Sequence, residues 1–267
     1  MKDEILPISC EWNITNVCNM HCCFCSMDSC SYADDFALLS LNKIDTIVET
    51  IKKAQCIYVS LSGGEPMLHP LFWDIVKKLR KAQIEVSLTT NGTFLNETSV
   101  KRIKLLGVRW VQISLHGHDK TIHDAIMGEG SFDKIKKAIT LLRKYHIGFS
   151  IASVELENNK SSIRILEKEC DRLGIPFYSR KMLRVGRGKN YSLKDDNRGV
   201  TVGECKGFFS IQPNGQIQVC GECKKSLGNV FEDEILEVWQ KNKKYFLYCS
   251  KEKKCLAELL EQGGVID

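Results

Sequence analysis

Ile57-Tyr58-Val59-Ser60-Leu61-Ser62-Gly63-Gly64-Glu65-Pro66 decides the architecture. Its apolar half reads as a buried strand, and the glycine pair breaks it. Residues 69–82 follow with Leu71, Phe72, Ile75, Val76 and Leu79 at helical spacing. Residues 84–90 then form a second strand, ended by Asn91-Gly92. A strand, a helix and a second strand in this order make a parallel pair joined by a crossover helix. The same alternation continues in both directions. Upstream, Ser40 caps a helix carrying Ile44, Ile47, Val48 and Ile51, and residues 8–17 form a first strand. Downstream come a helix at 97–106 closed by Gly107, a strand at 110–115 and a helix at 132–145. A strand at 147–154, a helix at 161–173 with Gly174 behind it and a short strand at 175–178 complete the series. Six such units are too few for a closed eight-fold barrel. They predict an α/β fold, either a partial (β/α)6 barrel or a doubly wound sheet.

The first strand runs into Cys18-Asn19-Met20-His21-Cys22-Cys23-Phe24-Cys25. Four thiols in eight residues exceed what packing needs. Three of them, Cys18, Cys22 and Cys25, stand at a spacing that can bend onto three corners of one small cluster and leave a fourth corner open. A soft metal centre, zinc or iron–sulfur, suits three thiolates. A structural zinc knuckle completed by Cys23, His21 or Cys30 is the plain alternative. The chain holds 13 cysteines among 267 residues, yet Met1-Lys2-Asp3-Glu4 leads to Pro7 and opens no secretory signal. Clustered cysteines are then read as metal ligands and not as a disulfide framework, and the expected location is cytoplasmic. No apolar run is long enough for a membrane helix. The net charge of +5 is spread along helical faces (Lys52, Lys53, Lys77, Lys78, Lys136, Lys137), so no nucleic-acid partner is expected.

Working residues of parallel α/β folds sit where strands end. Here the strand ends carry the cysteines, then Ser62-Gly63-Gly64-Glu65-Pro66, then Thr89-Thr90-Asn91-Gly92, then Ser114-Leu115-His116-Gly117. One mouth therefore gathers thiols, a carboxylate, hydroxyls and an amide. An electron carrier would not need a ligand-binding turn after strand two, so the clustering points to an enzyme.

Taken together, these residues resemble the radical S-adenosylmethionine (SAM) superfamily over about residues 8–180. Cys18-x3-Cys22-x2-Cys25 with Phe24 before the last cysteine is similar to its signature, and Gly63-Gly64-Glu65-Pro66 to its motif after strand two. Ser114 fits its strand-four position. The resemblance implies a [4Fe–4S] cluster on Cys18, Cys22 and Cys25, whose open iron chelates the amino and carboxylate groups of SAM. One electron then cleaves SAM to methionine and a 5′-deoxyadenosyl radical, which abstracts a hydrogen atom from substrate. Gly63, Gly64 and Pro66 shape the turn, Glu65 offers a carboxylate to the methionine ammonium, and Phe24 lies near the adenine. Asn91 and Ser114 are candidates for ribose or carboxylate, or simply cap strand ends. One position departs from the pattern. Met127, in His123-Asp124-Ala125-Ile126-Met127-Gly128, stands where the family usually has an arginine for the SAM carboxylate, and Arg143 and Arg164 are possible substitutes.

The character of the chain changes after Arg180. Expected boundaries are a barrel at 1–183, a linker at 184–204 and a small α+β extension at 205–267. In the extension Phe208-Phe209-Ser210-Ile211 and Gln216-Ile217-Gln218-Val219 flank Pro213-Asn214-Gly215 as a hairpin, followed by helices at 235–248 and 256–261. Cys205-x9-Gly215-x4-Cys220, then Gly228-Asn229-Val230, then Cys249-x5-Cys255 resembles the SPASM/twitch extensions that hold auxiliary Fe–S clusters. Phe246, Leu259 and Leu260 occupy places where a full SPASM domain has cysteines, so one auxiliary cluster is implied, on Cys205, Cys220, Cys249 and Cys255. Zinc or an empty scaffold is the alternative. Arg184-Val185-Gly186-Arg187-Gly188 resembles the linker that precedes such extensions. Cys223 is a competing ligand, or a catalytic thiol that returns a hydrogen atom to a substrate radical. Cys10, Cys56 and Cys170 are packing residues. The expected substrate is a peptide undergoing epimerisation, cross-linking or side-chain oxidation. A small molecule such as a sugar or alcohol, dehydrogenated, is the second choice. A flavodoxin or ferredoxin is the expected electron donor.

Overall fold

The computed structural model describes residues 6–29, 39–191, 208–252 and 254–266. Six strands form the expected parallel series: β1 (Ser9–Thr15), β2 (Tyr58–Gly63), β3 (Glu85–Thr90), β4 (Trp110–Ser114), β5 (Gly148–Glu155) and β6 (Phe177–Lys181). Their spatial order is that of the sequence, and β1 does not pair with β6. The sheet is therefore an open partial barrel, which decides between the two predicted architectures. Intervening helices are α1 (Leu41–Lys53), α2 (Phe72–Lys81), α3 (Glu97–Leu105), α4 (Lys120–Met127), α5 (Ser131–Lys144) and α6 (Lys160–Leu173). Helix α4 is an addition to the expected set. Asp119 caps it by accepting from Ile122 N–H.

The period of two along each strand explains both the core and the cavity. Cys10, Trp12 and Ile14 of β1 are buried in the core, as are Val59 and Leu61 of β2, Val86 and Leu88 of β3, and Val111 and Ile113 of β4. The alternate residues are polar: Glu11 and Asn13, Ser60 and Ser62, Ser87 and Thr89, Gln112 and Ser114. Register places Glu11 beside Ser60, Ser60 beside Ser87, and Thr89 beside Gln112. One face of the sheet is thus apolar and covered, and the other carries polar groups into the barrel.

The free edge of β1 is taken by β7 (Phe208–Ile211), which runs parallel to it. Antiparallel β8 (Gln216–Gln218) and β9 (Gly228–Asn229) follow. The expected hairpin thus extends the main sheet to nine strands among the described residues, and one apolar core runs from Trp12 through Phe209 and Ile217 to Trp239 and Phe246. The helix expected at 235–248 is broken into α7 (Ile235–Lys241) and α8 (Lys243–Glu252). Asn242 makes the break: its side-chain amide donates to Val238 O at 2.9 Å, and its backbone leaves the helical region. The last helix, α9 (Leu256–Glu261), lies where it was expected. Among the described residues no helix is long and apolar enough to cross a membrane.

Candidate active site

A cavity of about 400 Å³ opens at the C-terminal ends of the strands. Cys18, Cys22 and Cys25 line it, with Phe24, Gly63, Gly64, Asn91 and Ser114. The cysteines, Gly63, Gly64, Asn91 and Ser114 stand out by strand-end position, and Phe24 by its place before the last cysteine of the signature. Cys23 is exposed and absent from the lining.

Nested turns shape the cysteine loop. Cys25 N–H donates to Cys22 O at 3.2 Å and Asp28 N–H to Cys25 O at 3.3 Å. Met20 N–H points at Cys18 Sγ, 3.4 Å away, and Asn91 Nδ2 lies 3.9 Å from the same sulfur. Burial raises the Cys18 thiol to about 11, and burial with the neighbouring Cys25 and Cys18 raises Cys22 to about 12. Thiols held neutral in this way release protons when metal takes them. The Cys22 sulfur lies 3.3 Å from Met127 Sδ, in an apolar patch formed with Phe24, Val154, Leu156 and Met182. Among the described residues no three potential metal ligands converge on a single-ion site. A polynuclear cluster engages each thiolate at a different iron and does not require that convergence.

The glycine pair works by close approach. Gly63 adopts φ +122°, and a side chain on either glycine would run into the backbone at the end of β1. Gly64 N–H donates to Thr15 O and Glu65 N–H to Val17 O, both at 2.8 Å. The turn is thereby bonded to the residues leading into Cys18.

Two site expectations need correction. Glu65 is completely buried and does not line the cavity. Its carboxylate accepts from Thr90 Oγ1 and Asn91 N–H at 2.9 Å and from Met67 N–H at 3.2 Å. It ties the end of β2 to the end of β3 and is not presented to an ammonium group. Pro66 is buried beside it, also away from the lining. Burial lifts the Glu65 carboxyl to about 7. The second correction concerns Cys223. It is 0% exposed within the apolar core, and its chain neighbours Gly221 and Glu222 occupy the cavity wall instead. A hydrogen-atom donor must face its substrate, and Cys223 does not.

Arg143 and Arg164 lie exposed on α5 and α6, away from the cavity; the arginines that do line it are Arg180 and Arg187. Strand-end reasoning missed the wall that Arg180 belongs to. Arg180 Nη1 on β6 bonds Glu222 Oε1 at 2.7 Å, and Glu11 Oε2 on β1 accepts from Gly221 N–H at 3.2 Å. Burial and the Glu222 charge push Glu11 up to about 7. Burial opposes ionisation of Glu222 as well, but the Arg180 guanidinium holds it below the usual carboxylate range. The alternation of β1, with Glu11 and Asn13 between Cys10, Trp12 and Ile14, was the available signal.

His116 closes the site above Phe24, its ring edge-on at 4.9 Å. Its Nδ1 accepts from Val154 N–H at 3.0 Å, so the ring proton sits on Nε2. Burial, His123 and Arg180 press its pKa to about 3, which keeps the ring neutral.

The back thiols also gather. Cys223 N–H donates to Cys220 O at 3.2 Å, and Leu256 N–H points at Cys249 Sγ at 3.4 Å. Burial is the main cause of the raised Cys220, Cys223 and Cys255 pKa values, and each of these thiols feels a neighbour: Cys220 feels Cys223 and Cys255, while Cys223 and Cys255 both feel Cys249. None of the four is in a disulfide among the described residues. The expected ligand Cys205 lies outside the described residues.

Comparison with known proteins agrees with this geometry. The radical SAM superfamily profile matches residues 12–164, more than half of the chain. The sporulation killing factor maturation protein SkfB of Bacillus subtilis is 30% identical over 96% of this chain and 71% of its own length. The mycofactocin maturase MftC of Mycobacterium tuberculosis is 30% identical over 80% of this chain, which spans 60% of that relative. The crystal structure of Streptococcus suis SuiB bound to S-adenosylmethionine superposes with a TM-score of 0.73 at 17% identity, covering 97% of this chain and 73% of SuiB.

Proposed function

The chain belongs to the radical SAM superfamily, and on that footing we propose that it uses a [4Fe–4S] cluster and SAM to modify a peptide substrate. The observation that carries this reading is the joint placement of Cys18, Cys22 and Cys25 on one wall of a cavity bordered by Gly63 and Gly64. These three thiols would hold the cluster. When bound, cluster and SAM supply a carbon-centred radical able to take a hydrogen atom from an unactivated carbon. The other residues bind and orient. The glycine turn lets a ligand approach the backbone, Asn91 and Ser114 offer polar groups, and Phe24 with His116 forms an apolar wall that excludes water.

Peptide modification is favoured because MftC and SkfB carry maturase or maturation-protein names. Glu11, Arg180 and Glu222 line the cavity from β1, β6 and the loop after β8, which leaves a charged wall for the substrate. Cys220, Cys249 and Cys255, with Cys205, are proposed to hold an auxiliary Fe–S cluster, and Cys223 is the competing fourth thiol. A flavodoxin or ferredoxin would deliver the electron.

Anaerobically reconstituted protein given dithionite and SAM is expected to yield 5′-deoxyadenosine, and Cys22→Ala to yield none. Equal yields would refute the assignment of this loop. With the auxiliary cluster present, iron should approach about eight atoms per chain, and about four after full reconstitution would exclude it.

A further inference from the structure

Two polar groups at the cysteine loop have hydrogen-bonding capacity that no other described residue uses. Ser29 is 2% exposed and lines the cavity, yet its Oγ has no hydrogen-bond partner among the described residues. A buried hydroxyl left so costs about 1–3 kcal/mol, and such groups call for a ligand or a functional reason. Arg187 lines the same cavity and is anchored against the loop on three sides. Its backbone N–H donates to Cys25 O at 2.9 Å, its Nε to Cys22 O at 3.0 Å, and its Nη1 to Ser29 O at 2.6 Å and Asp28 Oδ1 at 3.0 Å. Nη2 makes no hydrogen bond among the described residues. Gly186, at φ +56°, allows this close seating, because a Cβ there would sit 2.6 Å from Cys25 O.

A guanidinium fixed at Nε and Nη1 with its remaining N–H pair uncommitted, next to an unsatisfied hydroxyl, is suited to a carboxylate. The amino-acid portion of SAM carries one. Both cavity arginines carry an ion pair, but the partner of Arg180 is Glu222 of the cavity wall, with Glu11 also acting on it, whereas Arg187 meets the solvent-exposed carboxylate of Asp28. Position 127, on the other side of Cys22, offers a thioether and no charge. We propose that Arg187 and Ser29 form the carboxylate-binding site for SAM, at the rim of the cysteine loop. The proposal rests on the reading of the cavity as a SAM site.

The test is SAM binding, measured by equilibrium dialysis on anaerobically reconstituted protein without reductant, so that no turnover contributes. Ser29→Ala removes an atom that has no partner among the described residues, so iron content and stability should match wild type. SAM affinity should fall about tenfold, the effect of one hydrogen bond to a charged group. Arg187→Gln should weaken SAM by more than tenfold. Decarboxylated SAM should bind each variant as it binds wild type. Unchanged SAM affinity in Ser29→Ala, or an equal loss for SAM and decarboxylated SAM, overturns the proposal. So does a loss of peptide affinity with SAM binding intact, which would give the site to a substrate carboxylate. A shifted EPR signal of the SAM-free cluster with normal SAM affinity would make the two groups donors to the cluster and equally refute it. Iron-loaded wild type that fails to bind SAM at all would refute the functional reading itself.

Discussion

Gly64→Ala tests whether the cysteine loop is held by close backbone contact at the end of β1. A Cβ on residue 64 would sit 2.6 Å from the Val17 carbonyl carbon and closer still to its oxygen. Ordinary contact begins near 3.4 Å, so clearing the carbon alone parts the two backbones by about 0.8 Å, and clearing the oxygen parts them further. The Glu65 N–H to Val17 O bond, now 2.8 Å, would then stretch past about 3.6 Å, beyond hydrogen-bonding range. One backbone hydrogen bond contributes about 1 kcal/mol and enforced overpacking costs about 1–3 kcal/mol. The expected loss is about 2–4 kcal/mol, read from urea denaturation of the metal-free protein. Because Val17 immediately precedes Cys18, the shift also moves a thiol, and reconstituted Gly64→Ala should retain less iron than wild type. Wild-type stability together with full iron loading would refute the close-packing argument.

Other outcomes follow from the same geometry. Glu11 has a folded pKa near 7 against an ordinary 4.5, because burial and Glu222 favour its neutral form. Its contribution is therefore complete below about pH 4.5 and lost as pH rises through 7; wild type should lose stability relative to Glu11→Gln across that window in urea titrations. Arg180→Met removes a cation that favours ionised Glu11, so the midpoint of that pH dependence should move upward. Trp239→Ala, at a buried site stacked on Phe246 with centroids 4.3 Å apart, should cost about 3–5 kcal/mol and weaken the near-UV circular dichroism. Cys23→Ser should leave iron content unchanged, since that thiol is exposed and outside the cavity lining.

What was legible in the sequence depended on how local the signal was. Strand, turn and helix alternate within 15 residues or so, and the cysteine spacing and the glycine pair sit inside single loops, so barrel and loop could be read directly. Helix α4 hid behind His116-Gly117-His118, which reads as a loop running into the next helix. Asn242 looked like one more polar residue on a helix, and only its bond to Val238 O shows why the helix stops. Glu65 was misplaced for a different reason. A carboxylate in a motif reads as a ligand group, whereas Thr90, Asn91 and Met67 take up its acceptor positions once β2 and β3 are side by side. Cys223 was misplaced because spacing does not say which way a thiol faces.

The charged wall was hidden by distance along the chain. Glu11, Arg180 and Glu222 are far apart in sequence and meet because β7 docks on β1, which brings the loop after β8 to the open side of the barrel. That docking has a consequence for the back thiols. Gly221 and Glu222, which line the cavity, lie between Cys220 and Cys223 in one tight turn, closed by the Cys223 N–H to Cys220 O bond. Glu222 is bonded to Arg180 of β6, and Gly221 to Glu11 of β1. The turn carrying two back thiols therefore spans the gap between β1 and β6 that the open sheet leaves unpaired. Any displacement of Cys220 or Cys223 must reach the cavity wall through two residues and two hydrogen bonds. In this fold the C-terminal segment is part of the wall against which a substrate would rest.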